Sequence, residues 1–364
     1  IKASGKVEGS VPAERGQPSL ADLPTQLLLG ALPALLGRAD RVAVVGLGSG
    51  TTLGAAHRSG SRSIDLLEVE PAFERALLHP ACAHHFTPYL DGALSSPRVR
   101  RRYGDARLLL WRERRPWDAI VSQPSEPWTP ASAHLFTREF FARAAGRLSS
   151  AGVFVQWIQL YKLSAEALEI LVRTFRGSFE RVFVLRPPYT GEVILIGSRA
   201  PLDFDLLLAA AARLFEADPS VLLAAGIEEP ADLLAALLLG PDGVEAWLDE
   251  AGEGELNTDD RTRIEFLAPA LFHRGPGLAR ENLKLLRERS GRDPVSRYLP
   301  ASLRSREFIR KLAARNLRLG DSSEALALLD GDPSPEAEGL RAEARRLGEE
   351  PAPEPAEAGR EGGR

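Results

Sequence analysis

A glycine-rich segment near residue 46 carries the residues best suited to bind a ligand. The apolar run 41–45 is followed by Gly46, Gly48 and Gly50. Glycine lets a backbone turn tightly and approach a ligand closely, and the N-terminus of the following helix offers free N–H groups to polar or anionic atoms. The spacing G-x-G-x-G differs from the G-x-G-x-x-G of dinucleotide sites. The segment predicts either a nucleotide site or an ordinary turn between a strand and a helix.

Acidic residues follow the next two predicted strands. Glu68 lies 22 residues beyond Gly46, where a carboxylate can accept hydrogen bonds from both hydroxyls of a ribose. Glu70, which projects to the same side, is the alternative carrier of that role. Asp105 follows the third strand and can reach an adenine amino group, cap the next helix, or do both. These acids favour a nucleoside as the ligand.

Polar side chains at two other places are candidates for chemistry. The loop 123–128, QPSEPW, follows a strand predicted next to the first one, where open α/β sheets place their reacting groups. Gln26 lies near the start of the first predicted helix and is either part of a site or a surface amide. Asp22 is predicted to cap that helix.

The elements that position these residues alternate between strands and helices. Short apolar runs without polar alternation indicate strands covered by helices on both faces, and a final antiparallel pair completes the pattern. We therefore predict an α/β fold with a seven-stranded doubly wound sheet. The predicted strands are 42–45, 64–69, 99–103, 117–122, 153–158, 181–185 and 193–197.

Changes in composition divide the chain into five parts. We predict an N-terminal β-hairpin over 1–20, a nucleoside-binding domain over 21–200, and a helical segment over 201–270 that includes a helix at 231–239 and ends in a strand. A helical-hairpin extension follows over 271–348. The Pro-, Glu- and Gly-rich end, 349–364, is predicted to be a disordered tail.

The composition excludes several classes of function. The 364 residues carry a net charge of −4, which argues against nucleic acid as the main partner. The single cysteine, Cys82, allows no intrachain disulfide and favours an intracellular, cytoplasmic protein. His84 and His85 beside it have no second ligand cluster, so we predict no metal. We expect no membrane span, and because the chain lacks methionine and begins at Ile1, we expect that an upstream part is missing.

Nine motifs, listed below in chain order, give the chain a resemblance to the spermidine synthase (polyamine aminopropyltransferase) family. That family has the class I S-adenosylmethionine-dependent methyltransferase fold, which is Rossmann-like. The chain most resembles the soluble part of bacterial spermidine-synthase-like proteins that carry an N-terminal membrane domain, so the full-length protein would be attached to the inner membrane. The motifs are GKVEGS, DLPTQLLLGALP, VVGLGSGTT, LLEVEP, YGDARLLL, WDAIVSQPSEPW, LFTREFF, VFVQWIQLY and LNTDDR.

The resemblance implies ligands and residue roles. The co-substrate would be S-adenosylmethionine or its decarboxylated form, the acceptor a small amine or polyamine, and the assembly a homodimer. The nucleoside would be bound by Gly46, Gly48, Ser49, Gly50, Glu68, Asp105 and Ala106; the acceptor would be lined by Gln26, Gln156 and Tyr189; and the catalytic positions would be Gln123 and Glu126.

Two of these positions depart from the family pattern. The family has a carboxylate where this chain has Gln123, and an amide cannot take the proton from an attacking amine. The family also has an aspartate in the glycine loop, which pairs with the ammonium of the decarboxylated donor; this chain has Ser49. Only Glu126 keeps the acidic character expected for holding the acceptor.

These departures leave three hypotheses about function. The first is transfer of an aminopropyl group to a polyamine-type amine. The second is methyl transfer, since Ser49 would not repel the carboxylate of S-adenosylmethionine. The third is a catalytically impaired module that binds a nucleoside or polyamine, or that interacts with a partner through its helical extension.

Overall fold

The computed structural model describes residues 2–3, 6–7, 22–270 and 277–349. At the N-terminus, β1 (Lys2–Ala3) pairs antiparallel with β2 (Lys6–Val7), which agrees with the predicted hairpin. The rest of the predicted hairpin region and the tail after residue 349 lie outside the described residues. Among the described helices, none combines the length and apolarity that a membrane crossing requires.

One sheet of eight strands organises the chain. Its order is β10-β8-β9-β7-β6-β3-β4-β5; the five strands from β7 to β5 are parallel, and β9 runs antiparallel to both of its neighbours. The predicted α/β fold class is confirmed. The strands are β3 (Arg41–Val45), β4 (Ser63–Glu68), β5 (Val99–Tyr103), β6 (Trp117–Ser122), β7 (Leu148–Gln159), β8 (Arg181–Leu185), β9 (Glu192–Ser198) and β10 (Leu237–Leu239).

The described residues form seventeen α-helices. They are α1 (Leu23–Leu35), α2 (Thr51–Arg58), α3 (Ala72–Leu78), α4 (Ala83–Leu90), α5 (Ala106–Arg112), α6 (Pro130–Ala133), α7 (Arg138–Ala145), α8 (Ala165–Arg176), α9 (Phe204–Ala217), α10 (Ser220–Ala224), α11 (Asp232–Ala235), α12 (Pro241–Glu250), α13 (Arg263–Leu267), α14 (Gly277–Ser290), α15 (Arg306–Arg318), α16 (Ser322–Leu328) and α17 (Pro335–Glu349).

The first sheet strand, β3, shows why the apolar runs form buried strands. All five of its residues are buried. Val42 and Val44 join a core that includes α1 and α2, whereas Ala43 and Val45 join a second core that includes α7 and α8. Alternate side chains of a strand point to opposite faces, so an uninterrupted apolar run requires cover on both.

The structure corrects two predicted elements. The predicted helix over 231–239 is instead the short α11 followed by β10, which pairs antiparallel with β8 and adds an eighth strand to the sheet. An apolar run beside an unpaired strand edge can complete the backbone hydrogen bonds of that edge. The predicted strand near the end of 201–270 is the helix α13, whose first turn is stabilised because Asn257 Oδ1 accepts from the N–H of Ile264.

The motif LNTDDR braces helices against one another. The buried Asn257 donates from Nδ2 to the Phe136 carbonyl, and its own N–H donates to the Thr174 hydroxyl. Asp259 accepts from the Thr137 hydroxyl at 2.7 Å and pairs with Arg107. The motif therefore joins the start of α7, the end of α8 and the first turn of α5.

Candidate active site

The glycine loop lies at the carboxyl end of β3, as predicted. Gly46, Gly48 and Gly50 have φ angles of +90°, +51° and +81°, which favour glycine. A Cβ at Gly46 would lie 3.0 Å from the carbonyl oxygen of Gln123, so the loop packs closely on the end of β6. The glycines therefore bring the ends of two neighbouring parallel strands together.

Glu68 ends β4 and holds the glycine loop. Its Oε2 accepts from the N–H of Leu47 at 2.6 Å and its Oε1 from the N–H of Glu70 at 2.7 Å. Burial raises the pKa of Glu68, and these backbone hydrogen bonds oppose that shift. Glu70 is exposed and accepts from the N–H of Ala72. Of the two predicted alternatives, only Glu68 contacts the loop.

Asp105 and Ala106 lie at the adjacent strand end. Asp105 Oδ1 accepts from the N–H of Arg107 at 2.8 Å and so caps α5, which was one of its two predicted roles. Asp105 itself is exposed, whereas Ala106 is buried. The N–H of Gly104 donates to the Glu68 carbonyl at 2.8 Å, which places Asp105 just beyond the paired ends of β4 and β5.

Ser49 belongs to a hydrogen-bonded chain that leads to a carboxylate. Its hydroxyl donates to Gln26 Oε1 at 2.6 Å, and Gln26 Nε2 donates to Asp22 Oδ2 at 2.9 Å. Gln26 is 3% exposed, so the surface-amide alternative is wrong. Asp22 makes no side-chain capping bond on α1; its carboxylate bonds the Gln26 side chain instead.

The loop after β6 places Gln123 and Glu126 differently. Gln123 Oε1 accepts from the hydroxyl of Thr52, so its amide is turned toward the start of α2. Glu126 has a mostly buried side chain whose Oε1 lies 3.7 Å from Lys162 Nζ. The Lys162 ammonium also lies 6.0 Å from the centre of the Trp128 ring. A neutral amide and a paired carboxylate therefore occupy the two predicted catalytic positions.

The charges of three carboxylates act on the partly buried Tyr161, which follows β7 at this edge of the sheet. Burial raises the pKa of the Tyr161 hydroxyl, and the charges of Glu192, Glu126 and Asp22 raise it further. Glu192 begins β9 directly opposite Gln159, the last residue of β7. Burial raises the pKa of Glu192 to about 8.

Sequence analysis missed Asp22 and Glu192 as site residues. The predicted antiparallel strand pair could have indicated Glu192. A strand that runs antiparallel to its neighbour starts beside the carboxyl end of that neighbour, where the site was expected. Glu192 stands at such a start, two residues after the motif Pro187–Thr190.

The remaining two predicted acceptor residues differ in burial. Gln156 is fully buried in β7 beside Ser122; its Nε2 donates to the Trp157 carbonyl at 3.0 Å, and its Oε1 has no partner among the described residues. Tyr189 is 67% exposed and adopts a φ of +61° in the loop between β8 and β9. The structure does not bring the Tyr189 ring into the buried cluster.

The helical extension braces the loops that carry these residues. The buried Asn282 of α14 donates from Nδ2 to the carbonyls of Leu160 and Leu163, at 2.9 and 2.8 Å, on either side of Tyr161 and Lys162. Lys162 has a φ of +63°, a costly conformation for a non-glycine residue. The extension therefore fixes a strained loop at the candidate site.

A second contact braces the loop that carries Tyr189. Arg186 Nη1 donates to the Leu319 carbonyl, just after α15, at 3.0 Å. Burial lowers the pKa of Arg186 to about 9, and the nearby charge of Arg287 adds to this shift. Among the described residues, no group of three or more His, Cys, Asp or Glu side chains could hold a metal ion.

Comparisons with known proteins give one curated relative and several structural similarities. No protein-family model matches the chain. The chain is 37% identical to the polyamine aminopropyltransferase of Synechococcus sp. (strain JA-3-3Ab) over 76 residues, which cover 21% of this chain and 24% of that protein. The match thus spans about a quarter of the relative's length.

The similar solved structures have low identity. A spermidine synthase in complex with the transition-state analogue AdoDATO has 18% identity and a TM-score of 0.49, and the spermidine synthase of Thermotoga maritima has 17% and 0.48; each match covers 63% of this chain and 76% of the other. Human methyltransferase-like protein 13 in complex with SAH has 20% identity and a TM-score of 0.36, over 54% of this chain and 89% of the other. The fold assignment rests on the sheet described above. The curated relative bears out the predicted resemblance to polyamine aminopropyltransferases over the 76 matched residues.

Proposed function

We propose that the protein is a spermidine synthase-like transferase that binds S-adenosylmethionine or its decarboxylated form and transfers an aminopropyl group to a polyamine-type amine. The observation that carries the proposal is one sheet edge with two parts. Glu68 holds a glycine loop there, and the charges of Asp22, Glu126 and Glu192 act on Tyr161. A nucleoside site beside an acidic site suits a sulfonium donor and a cationic acceptor.

The glycine loop fits an adenosyl group. Gly46, Gly48 and Gly50 have positive φ angles that let the backbone turn tightly, and the N-terminus of α2 follows directly. Each Glu68 oxygen that accepts one backbone N–H can accept a second hydrogen bond, so the carboxylate can also bind a ribose diol. Asp105 and Ala106 would lie against the adenine.

The acceptor amine would be oriented by charge. The sulfonium supplies an electrophilic carbon and leaves as a neutral thioether when the amine nitrogen forms its new C–N bond and the C–S electrons pass to sulfur. Glu126 would hold the positive charge of the acceptor, with Gln26, Gln156 and Tyr189 lining its path. Gln123 cannot take the proton that the amine must lose, so water or a neighbouring group accepts it.

Methyl transfer is the second candidate, and one observation favours it. Ser49 presents a hydroxyl rather than a carboxylate to the donor, and the nearest charge along its hydrogen-bonded chain is Asp22, beyond Gln26. A hydroxyl can accept from the ammonium of either donor and does not repel the carboxylate of S-adenosylmethionine.

Nucleoside binding tests the proposal. Mass spectrometry of the purified protein should detect a copurifying adenosyl nucleoside, and thermal shift should show stabilisation by S-adenosylmethionine or its decarboxylated form. Stabilisation by S-adenosylmethionine alone would favour methyl transfer.

A matched pair of variants controls for general damage to the protein. Glu68→Ala should abolish the shift, whereas Glu70→Ala, which changes an exposed carboxylate two residues away, should keep it. If neither nucleoside raises the melting temperature of the unaltered protein, the proposal fails.

A further inference from the structure

The helix α5 carries an exposed aromatic side chain. Trp111 is 58% exposed, whereas the other four tryptophans of the chain are buried. Leu108 lies one helical turn before it on the same side of α5 and is 49% exposed. Two exposed apolar side chains are ordinary on a protein surface, so the charges around them decide what this surface can bind.

Arginines surround this apolar pair. Arg112 lies on the same side of α5 as the pair, and Arg114 and Arg115 follow in the turn that leads to β6. All three are exposed, and none has an ion-pair partner among the described residues. Arg147, just after α7, donates from Nη2 to the Trp111 carbonyl at 2.8 Å. We call these residues the α5 patch: Leu108, Trp111, Arg112, Arg114, Arg115 and Arg147.

The acidic side chains of this region already have partners. Glu113 lies within the same turn, and Asp65 lies in β4. Three arginines share these two carboxylates: Arg41 and Arg100 pair with both, and Arg102 pairs with Glu113. A third carboxylate, Asp118, accepts from the Ser149 hydroxyl and from a backbone N–H. The α5 patch therefore keeps a net positive charge, although the whole chain carries −4.

The α5 patch lies at the opposite edge of the sheet from the candidate site. Because β5 and β6 run in the same direction, α5 runs back toward the amino ends of the strands. The N–H of Trp117, which begins β6, donates to the Arg147 carbonyl at 2.9 Å. The glycine loop and Glu126 instead follow the carboxyl ends of β3 and β6. A partner bound at the α5 patch would therefore leave the candidate site open.

We propose that the α5 patch binds the surface of a lipid bilayer that contains anionic lipids. Guanidinium groups pair with lipid phosphates, and tryptophan favours the boundary between headgroups and acyl chains, where Leu108 would also be buried. Each arginine near an anionic bilayer strengthens binding about fivefold. This inference does not depend on the proposed function.

Two other occupants fit the α5 patch less well. A symmetric contact with a second copy of the chain would place the same arginines against each other. Proteins that bind single-stranded nucleic acid line a groove with aromatic side chains, whereas α5 presents one indole and a leucine that cannot stack on a base. An anionic bilayer matches both the charge and the apolar pair.

Vesicle sedimentation tests the proposal. We would mix the full chain with vesicles of phosphatidylcholine alone and with vesicles of equal parts phosphatidylcholine and phosphatidylglycerol. The protein should bind the mixed vesicles at least tenfold more tightly. Raising the salt from about 0.1 M to about 1 M should release it, because the Debye length falls from about 10 Å to about 3 Å. Lipids brominated in their acyl chains should quench the fluorescence of the unaltered protein but not that of Trp111→Phe.

Variants identify the surface responsible. Arg112→Gln combined with Arg114→Gln should weaken binding to mixed vesicles at least tenfold, and Trp111→Ser should also weaken it. The matched controls are Arg213→Gln in α9 and Leu223→Ser in α10, which should bind normally. Both residues are exposed, on helices that pack with α1 against the other face of the sheet. Circular dichroism melts verify that each variant is folded.

The outcomes distinguish the bilayer from the other occupants. Unchanged binding in either the double arginine variant or Trp111→Ser would overturn the inference, as would equal binding to vesicles without anionic lipid. A protein that ignores mixed vesicles would also overturn it. In that case, capture of a single-stranded oligonucleotide through the same arginines would assign the patch to nucleic acid, and an oligomer that Trp111→Ser dissociates would assign it to a second copy. None of these results bears on nucleoside binding, which tests the proposed function separately.

Discussion

Gln123 and Glu126 belong to one loop but differ in what they can do. Glu126 has a carboxylate that pairs with Lys162. The Gln123 amide accepts a hydrogen bond from the Thr52 hydroxyl, but an amide cannot act as a base. Transfer to an amine requires that a proton leave the nucleophile, and general-base assistance typically contributes a factor of about 10² to 10⁴ in rate. The loss of a carboxylate at this position would therefore slow the reaction without removing the binding sites.

The substitution Gln123→Asp should restore part of this rate. We expect aminopropyl transfer to 1,4-diaminobutane to rise at least tenfold, measured as product formed from decarboxylated S-adenosylmethionine. Gln123→Asn is the matched control, because it shortens the side chain equally without adding a base, and it should give no increase. Equal rates for the two variants would show that residue 123 does not limit the reaction.

Glu192 should make stability depend on pH. The pKa of Glu192 is about 8 in the folded protein, against an ordinary value of 4.5 for a glutamate in the unfolded chain. Between these two pH values the folded protein therefore binds more protons than the unfolded chain. Stability therefore falls as pH rises from 4.5 to 8, by up to about 1.4 kcal/mol per pH unit from this group.

Chemical denaturation at several pH values measures this effect. Glu192→Gln should lose less stability than the unaltered protein between pH 5 and 8. The stability of Glu192→Gln should still decrease somewhat with pH, because burial also raises the pKa of Asp321 and Glu324. Identical slopes in the two proteins would contradict the assignment of a buried, protonated Glu192.

At the scale of elements, the helix α14 couples the extension to the candidate site. Asn282→Leu would remove both hydrogen bonds to the loop that carries Tyr161 and Lys162 and leave two buried carbonyls unpaired. We expect a loss of about 2–6 kcal/mol in the free energy of unfolding, since each of the two unpaired carbonyls costs about 1–3 kcal/mol. We also expect weaker diamine binding, because the strained loop loses its support.

Denaturant melts and calorimetry would check this coupling. Lys284→Ala is the control on the same helix, because its side chain is 78% exposed and its pairing with Glu288 contributes little. That variant should stay within about 0.5 kcal/mol of the unaltered protein. If Asn282→Leu were destabilised but bound diamine normally, the extension would support the fold without positioning the site.

The elements also show what local sequence can predict. The strands β3 and β6 and the polar residues that follow them could be located from the sequence. A strand that is buried on both faces has an uninterrupted apolar run, and both segments show one. The segment of β10 could not, since its three leucines suit a helix equally well and only the free edge of β8 selects a strand. The helix α13 likewise depends on Asn257, which is placed by residues far away in sequence.

At the scale of the whole molecule, the candidate site combines parts that differ in predictability. The glycine loop and Glu68 follow a strand–loop–helix pattern within one stretch of sequence, so their contact could be predicted. The grouping of Asp22, Glu126 and Glu192 depends on the register of β7 with β9 and on the docking of α1. Long-range packing of this kind leaves no local pattern in the sequence. For the same reason the exposure of Tyr189 could not be predicted from its neighbours in sequence.

The central claim is that one sheet edge joins a nucleoside site to an amine site for group transfer. The most direct measurement is mass spectrometry of the products after incubation with decarboxylated S-adenosylmethionine and 1,4-diaminobutane. We predict equal amounts of 5′-methylthioadenosine and of the diamine extended by one aminopropyl group, with neither product formed by Glu68→Ala. Both substrates recovered unchanged, from a protein that binds each of them, would contradict the claim.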